Sequence, residues 1–344
     1  MLNRSPSRPV LFVAIFFAAN VGIASVHAAD VRPEPEEIKS AISRALPWLA
    51  KGAAGSSAKR ECFTCHNQAL PVLAMVEARK RGFSIDETVL AGQLDHTAAH
   101  LKRGQKNYLE GRGQGGKAIA AGYALWALEV GGRAPDDTTA AVAGFLLEYQ
   151  KQANHWSHPG RRPPSSGSDF TTTYVALRGL TAFGTDDQQE SIDARKTKVR
   201  QWLLDQAPKN TEDRVFRLRA LIYVDADEQT LKQAAAELID NQRDDGGWAQ
   251  TDDMDSDAYA TATVVVGLIR AAQIAPQHDA VSRGIRYLID AQFEDGTWHV
   301  VSRAIPFQSH FESGFPHGKD QFISIAASSW ATLALVLSLP ESRE

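Results

Sequence analysis

Cys62, Cys65 and His66 stand together in the stretch "ECFTCHNQALP", and these two cysteines are the only ones in the chain. Thiols three positions apart, with an imidazole directly after the second, support several chemistries. They can carry a haem c through two thioether bonds with His66 on the iron, cycle between dithiol and disulfide, close a simple staple, or supply part of a metal site. A zinc site needs more ligands than these three. A thioredoxin-type pair belongs in a βαβ setting, and no segment of this chain shows the sustained alternation of a strand. Covalent haem c is therefore the leading reading, with a Cys62–Cys65 disulfide as the alternative.

A second dense group lies in "FESGFPHGKDQ". Glu312, His317, Lys319 and Asp320 place acid, base and cation within nine residues, and Arg303 precedes them. Arg161 and Arg162 add positive charge from another loop. Such a set can bind an anion or carry acid–base catalysis. The same stretch can instead be a plug held by Pro306, Pro316 and the aromatic residues Phe307, Phe311 and Phe315. For a sixth iron ligand, His317 is the first expectation and His310 the second. Met75 is a rival thioether, and an open sixth position favours peroxide or small-ligand chemistry.

Helices must position these groups. "QRDDGGW" from Gln242 and "QFEDGTW" from Gln292 repeat at a spacing of fifty residues, and "QKQANHW" from Gln150 is a weaker copy. Each follows an amphipathic run and precedes a small-residue apolar run, with apolar positions three and four apart. Asp169, Asp257 and Asp320 stand near the starts of the small-residue runs, where N-caps belong. The pattern predicts about twelve helices, near 35–50, 66–81, 86–109, 116–131, 136–152, 169–184, 189–206, 211–225, 228–243, 257–273, 279–292 and 321–338. Six such hairpins predict a closed, all-α ring, a single (α/α)6 toroid. Odd helices are outer and more polar; even helices, rich in Ala, Thr, Ser and Val, crowd around the axis. Every outer-to-inner loop then opens on one face, where a rigid scaffold builds its sites. That face should gather His66, His155, His158, His299, His310 and His317. His96 and His100 fall within an outer helix, and His278 on the opposite face.

Composition bounds the partners. The net charge is −4, of mixed sign along the chain, with no basic run beyond "GRRPP". That argues against nucleic acid and leaves a small-molecule ligand or a redox partner. Arg4, Arg8, the apolar run "VLFVAIFFAANVGIA" and the small residues Val26 and Ala28 read as a signal peptide over residues 1–28. The toroid domain, 29–344, is then expected to be periplasmic or secreted. No later stretch is expected to cross a membrane. Export agrees with haem c attachment, which is assembled after export.

The Q-x-x-D-G-x-W copies resemble the repeats of the squalene cyclase and prenyltransferase superfamily, whose fold is an α/α toroid. "CFTCHNQALPVLAMVEARKRGF" and "SRAIPFQSHFESGFPHGKDQFISIAASSWATLAL" together resemble a narrower bacterial group of exported toroids that join CxxCH to such repeats. Class II terpene cyclases of the superfamily carry D-x-D-D-T-A, whose third position protonates an alkene. The nearest string here is "DDMDSDAYATA". Asp255 takes the acid position in one alignment and Asp257 in the other, and the fourth carboxylate is missing in both. Three functions follow as expectations. The first is an exported haem c toroid for electron transfer or small-ligand redox chemistry. The second is a haem-free terpene cyclase or lyase using Asp255 or Asp257 with His317, Glu312 and Arg303. Some toroids of the lyase kind use a cation to neutralise a carboxylate and a base to take the neighbouring proton. The third is a ligand-binding toroid stapled by Cys62–Cys65.

Overall fold

The computed structural model describes residues 32–340, apart from 159, 161 and 306–308. The expected signal segment, Arg161, Pro306 and Phe307 lie outside the described residues. Twelve α-helices follow in chain order: α1 (Pro35–Lys59), α2 (Leu70–Lys80), α3 (Glu87–Leu109), α4 (Lys117–Val130), α5 (Asp137–Glu148), α6 (Asp169–Phe183), α7 (Gln189–Asp205), α8 (Thr211–Ile222), α9 (Glu228–Asp240), α10 (Ala258–Arg270), α11 (Asp279–Asp290) and α12 (Gln321–Ser338). Two isolated β-bridges are the only extended pairing among the described residues.

The even helices form the inner ring: α2 packs on α4, α4 on α6, and so on around to α12, which closes on α2. Small side chains let them approach. Thr171, Thr172 and Thr173 on α6 and Ser328 and Ser329 on α12 are buried at these contacts. A Cβ on Gly122 of α4 would lie 2.6 Å from the Val175 backbone of α6. α1 runs to Lys59 rather than ending near residue 50, because Gly52 and Gly55 are contact points and not stops. A Cβ at Gly55 would lie 1.9 Å from the Ser313 carbonyl oxygen.

The repeated Gln and Trp have a definite job. The indole Nε1 of Trp156, Trp248 and Trp298 donates to the carbonyl of Leu146, Leu238 and Leu288, at 2.9, 2.7 and 2.7 Å. Their backbone N–H groups donate to the hydroxyls of Thr173, Thr261 and Ser328 on the following inner helix. Each Trp therefore clamps the end of one outer helix to the next inner one. Gln242 Nε2 donates to Ala280 of the next outer helix at 2.8 Å. Gln292 Nε2 does the same to Ala41 of α1 at 2.9 Å, so the last full repeat closes the ring onto the first helix. An Arg286–Glu37 ion pair at 2.6 Å reinforces that seam. In the degraded copy, Gln150 bonds only within its own loop, to Ser157, and Arg195 from α7 makes the bridge instead.

Two expectations need correction. The segment Gly318–Ser338 is long and apolar enough to cross a membrane by length and composition, but 89% of its apolar window is buried as an inner helix of the ring. Of the three expected N-caps, Asp257 caps α10, accepting from Tyr259 N at 2.8 Å and Ala260 N at 3.0 Å. Ser168, not Asp169, caps α6. Asp320 instead accepts from Ser302 N and contacts His299, each at 3.0 Å.

Gln292→Ala removes the bridge to Ala41 and is expected to cost about 1–3 kcal/mol in urea unfolding. Gln150→Ala, which breaks no inter-helix bridge, should cost less than Gln292→Ala.

Candidate functional site

α1 leads through residues 60–64 into one turn of π-helix, Cys65–Ala69. The turn widens because Pro71 has no N–H for the carbonyl at Asn67, and Leu70 N–H bonds to Cys65 O instead. Asn67 and Gln68 are fully buried and both reach Ser56 Oγ of α1, at 3.2 and 3.4 Å. Arg103 of α3 donates to the Glu61 carbonyl. The CxxCH segment is thus held from two helices.

It opens on a chamber of about 500 Å³ at the loop face. Cys62, Cys65 and His66 all line it, with His100, His158, Arg60 and Arg162, against apolar walls from Phe63, Ile119 and Phe311. His66 and Arg162 also border a neighbouring cavity of about 220 Å³, together with His310, Lys319 and Phe322. Cys62 is exposed, Cys65 half-buried, and both thiols are unpaired. Burial pushes the Cys65 thiol up to about 12, against the pull of Arg162. Burial first, and then the charge of Arg162, drops His66 to about 3, so its imidazole is neutral. His100 falls to about 4, by burial first and then by Arg103 and His96. Burial also lowers His158, against Asp169.

The two constellations that stand far apart in sequence meet here. Lys59 Nζ donates to the Glu312 carbonyl at 2.6 Å, and the Arg60 guanidinium sits 4.6 Å over the Phe311 ring. His66 packs edge-on against Phe322 with centroids 5.2 Å apart, and His310 packs on the same ring at 6.0 Å. His310 Nε2 contacts Glu312 Oε1 at 2.8 Å. Gln321, buried in α12, ties Ser313 N, Phe311 O and Glu312 together.

Other expected site residues go elsewhere. His317 lines neither cavity. It stacks on His299 at 4.8 Å, and its Nε2 contacts Thr297 Oγ1 at 2.8 Å. Met75 is buried beside a groove between α1 and the start of α3. His155 stacks on Trp202 at 4.4 Å. His100, which outer-helix placement set aside, faces the chamber over Phe63 at 6.1 Å. Among the described residues no three His, Cys, Asp or Glu groups converge on a bare metal ion, so His66, His310 and His317 form no such cluster. Asp255 is exposed. Asp257 uses Oδ1 as a cap, and its Oδ2 is buried. Burial raises the Asp257 carboxyl, against the cap bonds, the Gln250 side-chain amide and the charge of Arg303. None of Asp255, Asp257 and Arg303 lines the loop-face chamber or the cavity beside it.

The ring's axis holds groups that pattern reading passed over. Glu212, in the first turn of α8, is buried and accepts from Thr171 Oγ1 at 2.7 Å and Tyr259 Oη at 3.4 Å. Burial pushes it up to about 8, so it is largely protonated at neutral pH. Its Oε2, Tyr123 Oη, Trp330 Nε1 and Arg219 Nη1 are all buried without partners. The available signal was Glu212 and Arg219 seven apart, two turns along one face of a helix that should be inner.

Residues 209–328 match the family described as the squalene-hopene cyclase C-terminal domain. A probable squalene–hopene cyclase of Sinorhizobium fredii is 28% identical over 122 residues, which cover 30% of this chain and 18% of that protein. The type II terpene cyclase MstE from Scytonema superposes with a TM-score of 0.57 at 15% identity, covering 88% of this chain and 98% of that one. A possible member of the GH105 family from Salmonella enterica superposes with a TM-score of 0.56 at 12% identity, covering 94% and 98%. The fold is the α/α toroid of the terpene cyclases. Two differently described neighbours share it, so the ring alone does not choose a chemistry. The chain spans less than a fifth of that curated cyclase. The family match, residues 209–328, includes Glu212 and Arg219 but not Cys62, Cys65 or His66.

Glu212 gives a signed pH effect. Its carboxyl titrates near 8 folded against an ordinary 4.5, so between those values only the folded state holds the proton. Its contribution to stability is full below pH 4.5 and is lost as pH rises through 8. Relative to Glu212→Gln, the wild type should lose on the order of 1 kcal/mol per pH unit across that window in urea unfolding. A pH-independent difference would remove the buried neutral acid.

Proposed function

We propose that this chain is an exported toroid that carries a covalent haem c in its loop-face chamber. The observation that carries the reading is that Cys62, Cys65 and His66 line one cavity of about 500 Å³ together with two more histidines. The donor set fits the group: Cys62 and Cys65 would form the thioethers, His66 would bind the iron, and His100 or His158 would be available as a further ligand. Arg60 and Arg162 suit the carboxylates of such a group, and Phe63, Ile119 and Phe311 give apolar contact. When bound, haem supplies one-electron chemistry, used for electron transfer with a redox partner or on a small ligand. The chain's own residues hold and shield it. Phe322 packs on the His66 ring, and the Lys59–Glu312 and Arg60–Phe311 contacts hold the 309–322 segment beside the chamber.

A specific observation favours a second reading, a haem-free enzyme of terpene-cyclase type. The squalene-hopene cyclase match covers α8 to α12, and Glu212 there is a neutral carboxylic acid beside the Tyr123 and Tyr259 phenols. Protonation of an alkene needs a carboxyl that still carries its proton, and burial keeps the proton on Glu212. The comparisons bear on this reading and not on haem.

The test is the protein exported by a host that matures c-type cytochromes. A reducible Soret band, with haem stain surviving a denaturing gel, is expected, and the stain should be lost in Cys62→Ala and Cys65→Ala. His100→Ala or His158→Ala, whichever removes the sixth ligand, should shift the reduced spectrum. Colourless protein, beside a control cytochrome that matures, overturns the haem reading. Conversion of squalene or a polyprenyl substrate to a cyclised isomer of equal mass, abolished by Glu212→Gln, then establishes the second.

A further inference from the structure

The end of the ring opposite the CxxCH chamber is hollow as well. There the C-terminal turns of the inner helices surround a pocket of about 300 Å³. This is at the lower bound of small-molecule pockets. Leu73, Val76, Val130, Val266 and Leu333 give it apolar walls, and Arg178, Arg219 and Arg270 bring guanidinium groups to it. Two of these cations are engaged with carboxylates. Arg178 forms a bidentate pair with Glu129 at 2.6 and 3.0 Å, and Arg270 pairs with Glu77 at 2.6 Å.

Arg219 is not. It is 5% exposed, and among the described residues no carboxylate lies within ion-pair distance of it. Its Nη2 donates to Tyr174 Oη at 2.9 Å, and its Nη1 has no partner. The guanidinium sits among the rings of Trp126, Tyr174, Phe216 and Trp330, with centroids 4.6 to 5.2 Å away. Aromatic faces stabilise a cation in place, but they do not accept its N–H bonds or cancel its charge. A buried charge without a counter-ion is costly, and a free donor adds to that cost.

We propose that this pocket binds a small organic monocarboxylate with an apolar body, its head on Arg219 and its chain along the valine and leucine walls. The guanidinium fork matches a carboxylate in shape and charge. A monoanion fits better than a phosphate dianion, because one charge matches the one guanidinium of the three that has no carboxylate partner, Arg178 and Arg270 being paired with Glu129 and Glu77. The proposal stands whether or not the loop-face chamber holds haem.

Octanoate, 1-octanol, octyl phosphate and octyltrimethylammonium are suitable probes, read by calorimetry and by the fluorescence of the purified full chain, since Trp126 and Trp330 flank the site. Octanoate is expected to bind saturably, at least tenfold more tightly than 1-octanol or octyl phosphate, with no binding of the ammonium. Arg219→Met should remove that tenfold preference and leave 1-octanol unchanged. If Arg219→Met does not fold, Ile222→Trp serves: residue 222 is 41% exposed at the rim, and the larger ring should block every probe. Equal binding of octanoate and 1-octanol overturns the proposal, as does octanoate binding that is unchanged in either folded variant, or no octanoate binding at millimolar concentration.

Discussion

A buried indole N–H usually takes an acceptor, and three tryptophans that do so hold this ring's hairpins together. Trp156, Trp248 and Trp298 are each completely buried, and each bonds the carbonyl ten residues earlier at the end of an outer helix. The hydroxyl that meets the same tryptophan's backbone belongs to the next inner helix. One residue therefore sets where the outer helix ends and where the inner helix begins. The clamp recurs with the same sense at α5–α6, α9–α10 and α11–α12, so these three inner helices start on one face. The CxxCH loop, which enters α2 from the outer helix α1, opens on the same face.

Ring closure matters as much as the repeats. The CxxCH turn belongs to the first hairpin, while Phe311, Glu312, Gln321 and Phe322 belong to the last. They meet only because Gln292 reaches Ala41, Glu37 reaches Arg286 and α12 packs between α2 and α10. An open stack of the same hairpins would leave Phe63 and Phe322 at opposite ends of the molecule. The loop-face chamber is thus a property of the closed ring and not of either segment, which separates this arrangement from a short haem-binding motif carried on a linker.

Much of this was legible in the chain. Helical spacing and the repeated Gln and Trp predicted twelve helices, the parity of inner and outer, and the common face of Cys65, His158 and His310. What resisted was side-chain direction. His100 and His317 were sorted by the element they occupy, but α3 turns His100 toward Phe63, while the left-handed backbone at His317, with φ 77°, swings it to Thr297 and His299. Asp257 invited an acid's role because it sits in an acidic string, and its Oδ1 bonds show how much an N-cap explains. Glu212 had no motif around it. Its state follows from burial by Thr171, Tyr259 and their neighbours on other helices, which a single sequence does not display.

The two cavities lie at electrically opposite ends of the same six helices. The N-terminal ends, with their free N–H groups, face the loop chamber; the carbonyl ends face the Arg219 pocket. Cations should collect at the second end, and Arg81 does answer that field, donating to Val336 O at 2.9 Å. Arg219 lies deeper, away from the carbonyls and among rings, where the helix ends do not account for it. Between the two cavities, the unpartnered polar atoms of Tyr123, Glu212 and Trp330 fill the axis. A core built only for stability would hold apolar residues there, since an unmade buried hydrogen bond costs more than a methyl contact returns. These buried polar atoms, with the Glu212 acid among them, are what the terpene-cyclase reading of the axis rests on.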